Sequence, residues 1–165
     1  MSISDNLQKT RKSIPTNVTL VAVSKTKTTQ SILEAYQEGQ RVFGENKVQE
    51  LAQKAELLPK DIEWHMIGHL QTNKVKFIAP FVSLIHAVDS EKLLKEINKR
   101  AAQNNRTIDC LLQFHIAQES SKFGLNEEKA KEILKIQSSY PNVRILGFMG
   151  MATFTSKEKQ IKKEF

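Results

Sequence analysis

Short apolar, β-branched runs alternate with longer amphipathic ones at least five times along this chain, and that rhythm constrains the fold more than any single residue does. The apolar runs cover residues 18–24, 41–43, 63–67, 82–88, 107–115 and 143–147, each short enough to be a strand. Between them the spacing of apolar residues predicts helices over 28–38, 47–57, 72–79, 90–104 and 127–138. Ser90 stands where a cap belongs, ahead of the apolar stripe Leu93, Leu94 and Ile97. Alternating strand and helix implies parallel strands with helices packed outside, either as an open doubly wound sheet or as a closed barrel.

The turn after the first strand separates these two architectures. A nucleotide-binding doubly wound sheet usually carries a glycine-rich turn there, whereas this chain has Ser24-Lys25-Thr26-Lys27-Thr28. Polar or unusual residues also stand just past successive strand ends: Lys25, Gly44-Glu45-Asn46, Gly68-His69-Leu70-Gln71, Asp89, residues 118–122 and Met149-Gly150-Met151. In a parallel barrel those ends converge on one rim, where ligands bind. The expected fold is α/β, a TIM (β/α)8-type barrel forming a single domain over 1–165. A closed barrel takes about 250 residues, and Phe165 falls inside an amphipathic pattern with no stop signal, so the barrel is expected to be incomplete, with about six β/α units and a truncated carboxyl end.

Size and charge exclude several classes of function. At 165 residues and 39% hydrophobic the chain suffices for one substantial core. It has no apolar stretch of membrane-spanning length and no leader pattern at its start, which points to the cytoplasm and away from a membrane. The net charge of +7 raises the question of nucleic acid. Lysines are instead interleaved with glutamates at helical spacing, as over 91–97 and 127–132, the pattern of a solvated helix face. No nucleic-acid partner is expected. The lone Cys110 lies inside an apolar run and is expected to be a buried thiol.

Lys25 is the residue with most chemical content. Taken alone, the decapeptide around it fits a solvated ammonium marking the edge of the core. A lysine at the end of a core strand can also sit between low-dielectric walls that favour its neutral, nucleophilic form, the species that attacks aldehydes. His65 and His69 are four apart but straddle a strand end and a Gly68 turn, so they do not share a helix face as zinc-binding pairs do. His86 and His115 end apolar strands and read as structural histidines. No metal site is expected, and neither a nucleophile elbow nor a phosphate loop is present.

Five motifs in order carry a family resemblance: Val21-Ala22-Val23-Ser24-Lys25-Thr26-Lys27, Phe43-Gly44-Glu45-Asn46-Lys47-Val48-Gln49-Glu50, Trp64-His65-Met66-Ile67-Gly68-His69-Leu70-Gln71-Thr72-Asn73-Lys74, Ser121-Lys122-Phe123-Gly124 and Gly147-Phe148-Met149-Gly150-Met151. Over nearly its whole length the chain resembles the pyridoxal phosphate homeostasis proteins, single-domain relatives of the alanine racemase barrel. The resemblance implies that Lys25 holds pyridoxal 5'-phosphate as a Schiff base, that Asn46 lies near the cofactor ring, and that Ile67 and Met149 line the pocket. It further implies Lys27 and Lys122 as auxiliary lysines near the rim. His69 stands where that family commonly has proline or a small residue. The serine-containing and glycine-rich turns that hold the phosphate in the family, and an arginine near the pyridine nitrogen, have no counterpart in this chain, so weak cofactor binding is expected of it.

The same resemblance implies a non-catalytic carrier or buffer in intracellular vitamin B6 and amino-acid homeostasis. Its partners would be the small-molecule cofactor and apo enzymes that use it, and the expected state is a monomer. The racemase relatives oppose their lysine with a tyrosine from a second domain. Here only Tyr36 and Tyr140 exist, both in or beside predicted helices. The alternatives are an enzyme using the same cofactor, such as a weak amino-acid racemase with a second base from elsewhere, or a basic nucleic-acid module whose binding would fall steeply with salt.

Overall fold

The structure, a computed structural model, describes residues 2–117 and 124–165. Among them run α1 (Ile3–Ser13), β1 (Ala22–Val23), α2 (Thr29–Gln37), β2 (Val42–Glu45), α3 (Val48–Leu57), β3 (Glu63–Met66), α4 (Val75–Ile78), β4 (Leu84–Val88), α5 (Glu91–Gln103), β5 (Ile108–Phe114), α6 (Glu127–Lys135), β6 (Val143–Gly150) and α7 (Glu158–Glu164). Short 3-10 turns precede α4 and follow α6. All neighbouring strands pair in parallel, and their spatial order is their chain order, β1 to β6. Right-handed crossovers between strands in unbroken order place every connecting helix on one face, whereas a doubly wound sheet needs a reversal of order. The expected incomplete (β/α)8-type barrel is therefore the observed architecture.

Alternation along the strands divides the sheet into a helix-covered face and a concave face. Phe43, Trp64, Met66, Ile85, Cys110 and Leu112 meet the apolar stripes of the helices, including Leu51, Ile78, Leu94 and Ile97. Each fully buried side chain of this kind contributes roughly 1.5–3 kcal/mol. Caps start the helices: the Ser90 hydroxyl accepts from the Leu93 amide at 3.3 Å, and Asn126 accepts from Lys129 at 2.9 Å. On the concave face Asp109 and Arg144 stand in register and form a bidentate pair at 2.7 and 2.8 Å.

Element boundaries differ from expectation at both ends of the sheet, and one helix was not expected. The first strand shrinks to Ala22–Val23, paired with β2, with Val18 outside the ladder and half-exposed. β6 runs on through Gly147 to Gly150, carried by continuous pairing with β5 across a register shift at Cys110/Leu111. The sequence reading omitted α1 entirely. Its signal was a reciprocal cap, in which the Asp5 amide donates to the Ser2 hydroxyl and the Ser2 amide to the Asp5 carboxylate, each at 3.1 Å.

Candidate functional site

Lys25 leaves β1 in a turn that is held on both sides. The Ser24 amide continues the ladder to the Gly44 carbonyl at 2.9 Å, and the Ser24 hydroxyl donates to Glu45 Oε1 at 2.6 Å on the helix-covered face. Thr26 then adopts φ of +63° and donates its amide to Glu50 Oε1 at 2.6 Å, while the Lys27 amide closes the turn onto the Ser24 carbonyl at 3.0 Å. The Lys25 side chain is exposed.

Behind this turn lies a charged cluster that the sequence reading missed. Lys54 of α3, only 6% exposed, donates to the Ser24 carbonyl at 2.8 Å, to Glu45 Oε1 at 2.8 Å and to Glu50 Oε1 at 2.7 Å. Glu45 was expected on the rim, but it is the last residue of β2 and faces α3, with no exposed surface. Its Oε2 has no hydrogen-bond partner among the described residues. The hydrogen bond from Lys54, aided by the Thr26 amide, holds the Glu50 carboxyl below its ordinary range against the opposing effect of burial. Glu50 and Lys54 at i,i+4 were legible in the sequence as a helix pair, but their burial depended on the Ser24 turn packing over them.

The structure brings the ends of the first three strands together. Asn46 follows β2 and Ile67 follows β3, both half-buried. A β-carbon at Gly44 would meet Ile67 Cδ1 at 3.0 Å and Val21 Cγ1 at 3.1 Å, so glycine keeps the concave face clear beside Ile67. A β-carbon at Gly68 would fall 2.5 Å from the Asn46 carbonyl oxygen, so glycine lets the loop after β3 lie directly on the loop after β2. Met149 lies on β6 in register with Gln113 of β5, at the other edge of the sheet from Lys25. Lys27 is exposed and lines a groove with Leu7 of α1 and Ile32 of α2. Lys122 lies outside the described residues.

The histidines settle into pairs. His69, exposed on the loop after β3, bonds through Nδ1 to Asp89 Oδ2 at 3.1 Å and borders a shallow rim pocket with Asn46, Lys47 and Lys74. His65 and His86 were read singly, yet they touch each other through Nδ1 and Nε2 at 3.0 Å. Among the described residues no group of three or more His, Cys, Asp or Glu could hold a metal ion. No helix among them is long and apolar enough to cross a membrane.

Burial, with a smaller contribution from His86, holds His65 down at about 4, against an ordinary 6.5, and burial lowers His86 as well. Between those values the unfolded chain takes up a proton that the folded one refuses. Stability is therefore complete above about pH 6.5 and declines as pH falls towards 4. Urea titrations across that range should show a loss of about 2 kcal/mol, flattened in His65→Phe, while an unchanged slope in the variant would assign the loss to other groups.

An open parallel β/α barrel whose first strand releases a lysine at the rim is the class of protein that fold and site define. The model of the alanine racemase N-terminal domain matches residues 1–165. The chain belongs to that family and, within it, to the pyridoxal phosphate homeostasis proteins. The protein of that name from Aquifex aeolicus is 40% identical over 147 residues, covering 88% of this chain and 64% of the relative. The one from Vibrio alginolyticus is 37% identical over 156 residues, covering 92% and 67%. The chain thus spans about two thirds of the length of these curated relatives. Among solved structures it is similar to PipY of Synechococcus elongatus, at 32% identity, TM-score 0.92, 98% of this chain and 76% of that one. A second PipY structure, with PLP bound, matches with a TM-score of 0.88 over the same shares. Alanine racemase from E. faecalis, 15% identical with a TM-score of 0.76 over 98% of this chain and 45% of that one, shares the fold.

Proposed function

We propose that residues 1–165 form a single pyridoxal 5'-phosphate-binding domain in which Lys25 holds the cofactor by a Schiff-base link. The observation that carries the reading is an exposed amine on a rigidly held turn, beside the Asn46 and Ile67 ends of the next two strands. These residues fit the group. Gly44 keeps a side chain out of the space next to Ile67, leaving an apolar surface suited to a flat ring, and Asn46 offers an amide beside it. A PLP-bound PipY structure among the similar proteins supports the same reading. When bound, the cofactor supplies an aldehyde carbon that amines capture reversibly. Lys25 binds at that carbon, Asn46 orients, and Ile67 and Met149 exclude water, with Lys27 and Lys122 as auxiliary amines.

The role proposed is non-catalytic: a carrier or buffer of the cofactor in the cytoplasm, acting in vitamin B6 and amino-acid homeostasis, monomeric, and supplying apo enzymes that use it. The homeostasis names of the relatives support this, and so do the tyrosines. Tyr36 donates to Asp61 at 2.7 Å and Tyr140 to Glu91 at 2.8 Å, so each hydroxyl is engaged away from the Lys25 turn. A racemase would need a second base facing Lys25.

The test is borohydride trapping with pyridoxal 5'-phosphate, followed by mass mapping of the labelled lysine in the chain and in Lys25→Ala. Trapping is irreversible and accumulates label even where binding is weak. Label concentrated on Lys25 and lost in the variant is the expected result. Label spread evenly over surface lysines would remove the reading, and turnover of alanine enantiomers would replace the carrier with an enzyme.

A further inference from the structure

We propose that Glu50, backed by Lys54 and Glu45, is a positioning residue for Lys25: it holds Thr26 in a left-handed turn and so fixes the direction from which the Lys25 amine approaches an aldehyde. The inference rests on the proposed role of Lys25. Two independent observations lead to it. Thr26 is a β-branched residue at φ of +63°, a conformation that such residues adopt only when their surroundings enforce it. The only other non-glycine residue of this kind among those described is Asn105, whose side chain tolerates the conformation. The enforcing contact at Thr26 is its amide bond to Glu50 Oε1 at 2.6 Å.

Glu50 is in turn not free to move. Lys54 bonds the same oxygen at 2.7 Å and reaches the buried Glu45 at 2.8 Å. The ammonium also holds the Ser24 carbonyl at 2.8 Å. Both neighbours of Lys25 are therefore anchored to one buried cluster, Ser24 through its carbonyl and hydroxyl and Thr26 through its amide. Lys25 is exposed, so its main-chain direction sets where a flexible four-carbon side chain begins its reach. Charge-assisted bonds of this length resist the fraying expected of a two-residue strand.

The experiment measures, in the full chain, the rate of pyridoxal 5'-phosphate label appearing at Lys25 under borohydride, together with amide hydrogen exchange at Thr26 and the melting temperature. Glu50→Gln keeps an oxygen for the Thr26 amide, whereas Glu50→Ala removes it. Thr26→Pro leaves the charged cluster intact but forbids both the positive φ and the amide bond. Glu50→Ala and Thr26→Pro should each label Lys25 about tenfold more slowly, and Thr26 exchange should quicken in Glu50→Ala, while Glu50→Gln stays near the parent. A purely structural Glu50 would instead make labelling follow melting temperature across all three. Should Glu50→Ala fail to fold, Thr26→Pro alone decides. Parent-like labelling in Thr26→Pro, or a Glu50→Gln as slow as Glu50→Ala, overturns the inference. If the parent itself shows no preference for Lys25, the role proposed for that lysine fails first and this positioning role with it.

Discussion

Lys54→Met is expected to lower stability by about 3–5 kcal/mol, because it deletes the cation bonded to both Glu45 and Glu50 while leaving both carboxylates in place. Glu45 has no exposed surface, and its Oε1 would keep only the Ser24 hydroxyl as partner. Removing half of a buried ion pair costs far more than the pair itself contributes, since the partner's desolvation is then uncompensated. The fall in melting temperature should be on the order of 10 °C for a chain of this size. The sharper check is the neutral set Glu45→Gln, Lys54→Met and Glu50→Gln combined, which should recover much of the loss. A triple variant no more stable than Lys54→Met, compared by urea denaturation, would show that packing of the lysine stem dominates over charge.

Gly68→Ala should cost about 2–4 kcal/mol. The added methyl would sit 2.5 Å from the Asn46 carbonyl oxygen and 2.8 Å from the Asn46 Cα, and both obstacles are main chain that cannot rotate aside. Relief requires the loop after β3 to lift from the loop after β2, which parts Ile67 from Asn46. The variant therefore predicts a coupled loss: lower stability and slower labelling at Lys25, where a distant packing defect of equal cost would lower stability alone. Thermal melting and trapping on the same preparation distinguish them. Gly147 offers the control, because a β-carbon there would find only Leu111 Cδ2, at 3.9 Å.

The barrel was legible because its evidence is distributed. Residues 63–67 and 82–88 read as strands from β-branched and aromatic content, and the helix after Ser90 from a cap and a 3.6-residue stripe, and each appears within a residue or two of its expected place. α1 escaped notice because its amphipathic face is thin, with Leu7 its only buried residue. Lys25 stood out in the sequence for what it is, a lysine at a strand end, but the bonds that anchor its two neighbours come from Glu45, Glu50 and Lys54, which no local pattern around it encodes. The Glu45 carboxylate illustrates the same limit. Periodicity places it at the end of an apolar run, yet only the third dimension shows that Lys54, nine positions on, rises beneath it.

Cys110 has a practical consequence. It is the only cysteine in the chain, its side chain is wholly enclosed between β5 and the helices, and burial, with the nearby Asp109 charge, pushes the thiol up. A thiol reagent can reach it only when the sheet parts from its helical cover. The rate at which one disulfide-exchange chromophore is released thus becomes a clock for opening of the central layer. The protein carries its own stability gauge, and each substitution discussed above can be ranked on it in dilute buffer, with no denaturant and no introduced cysteine.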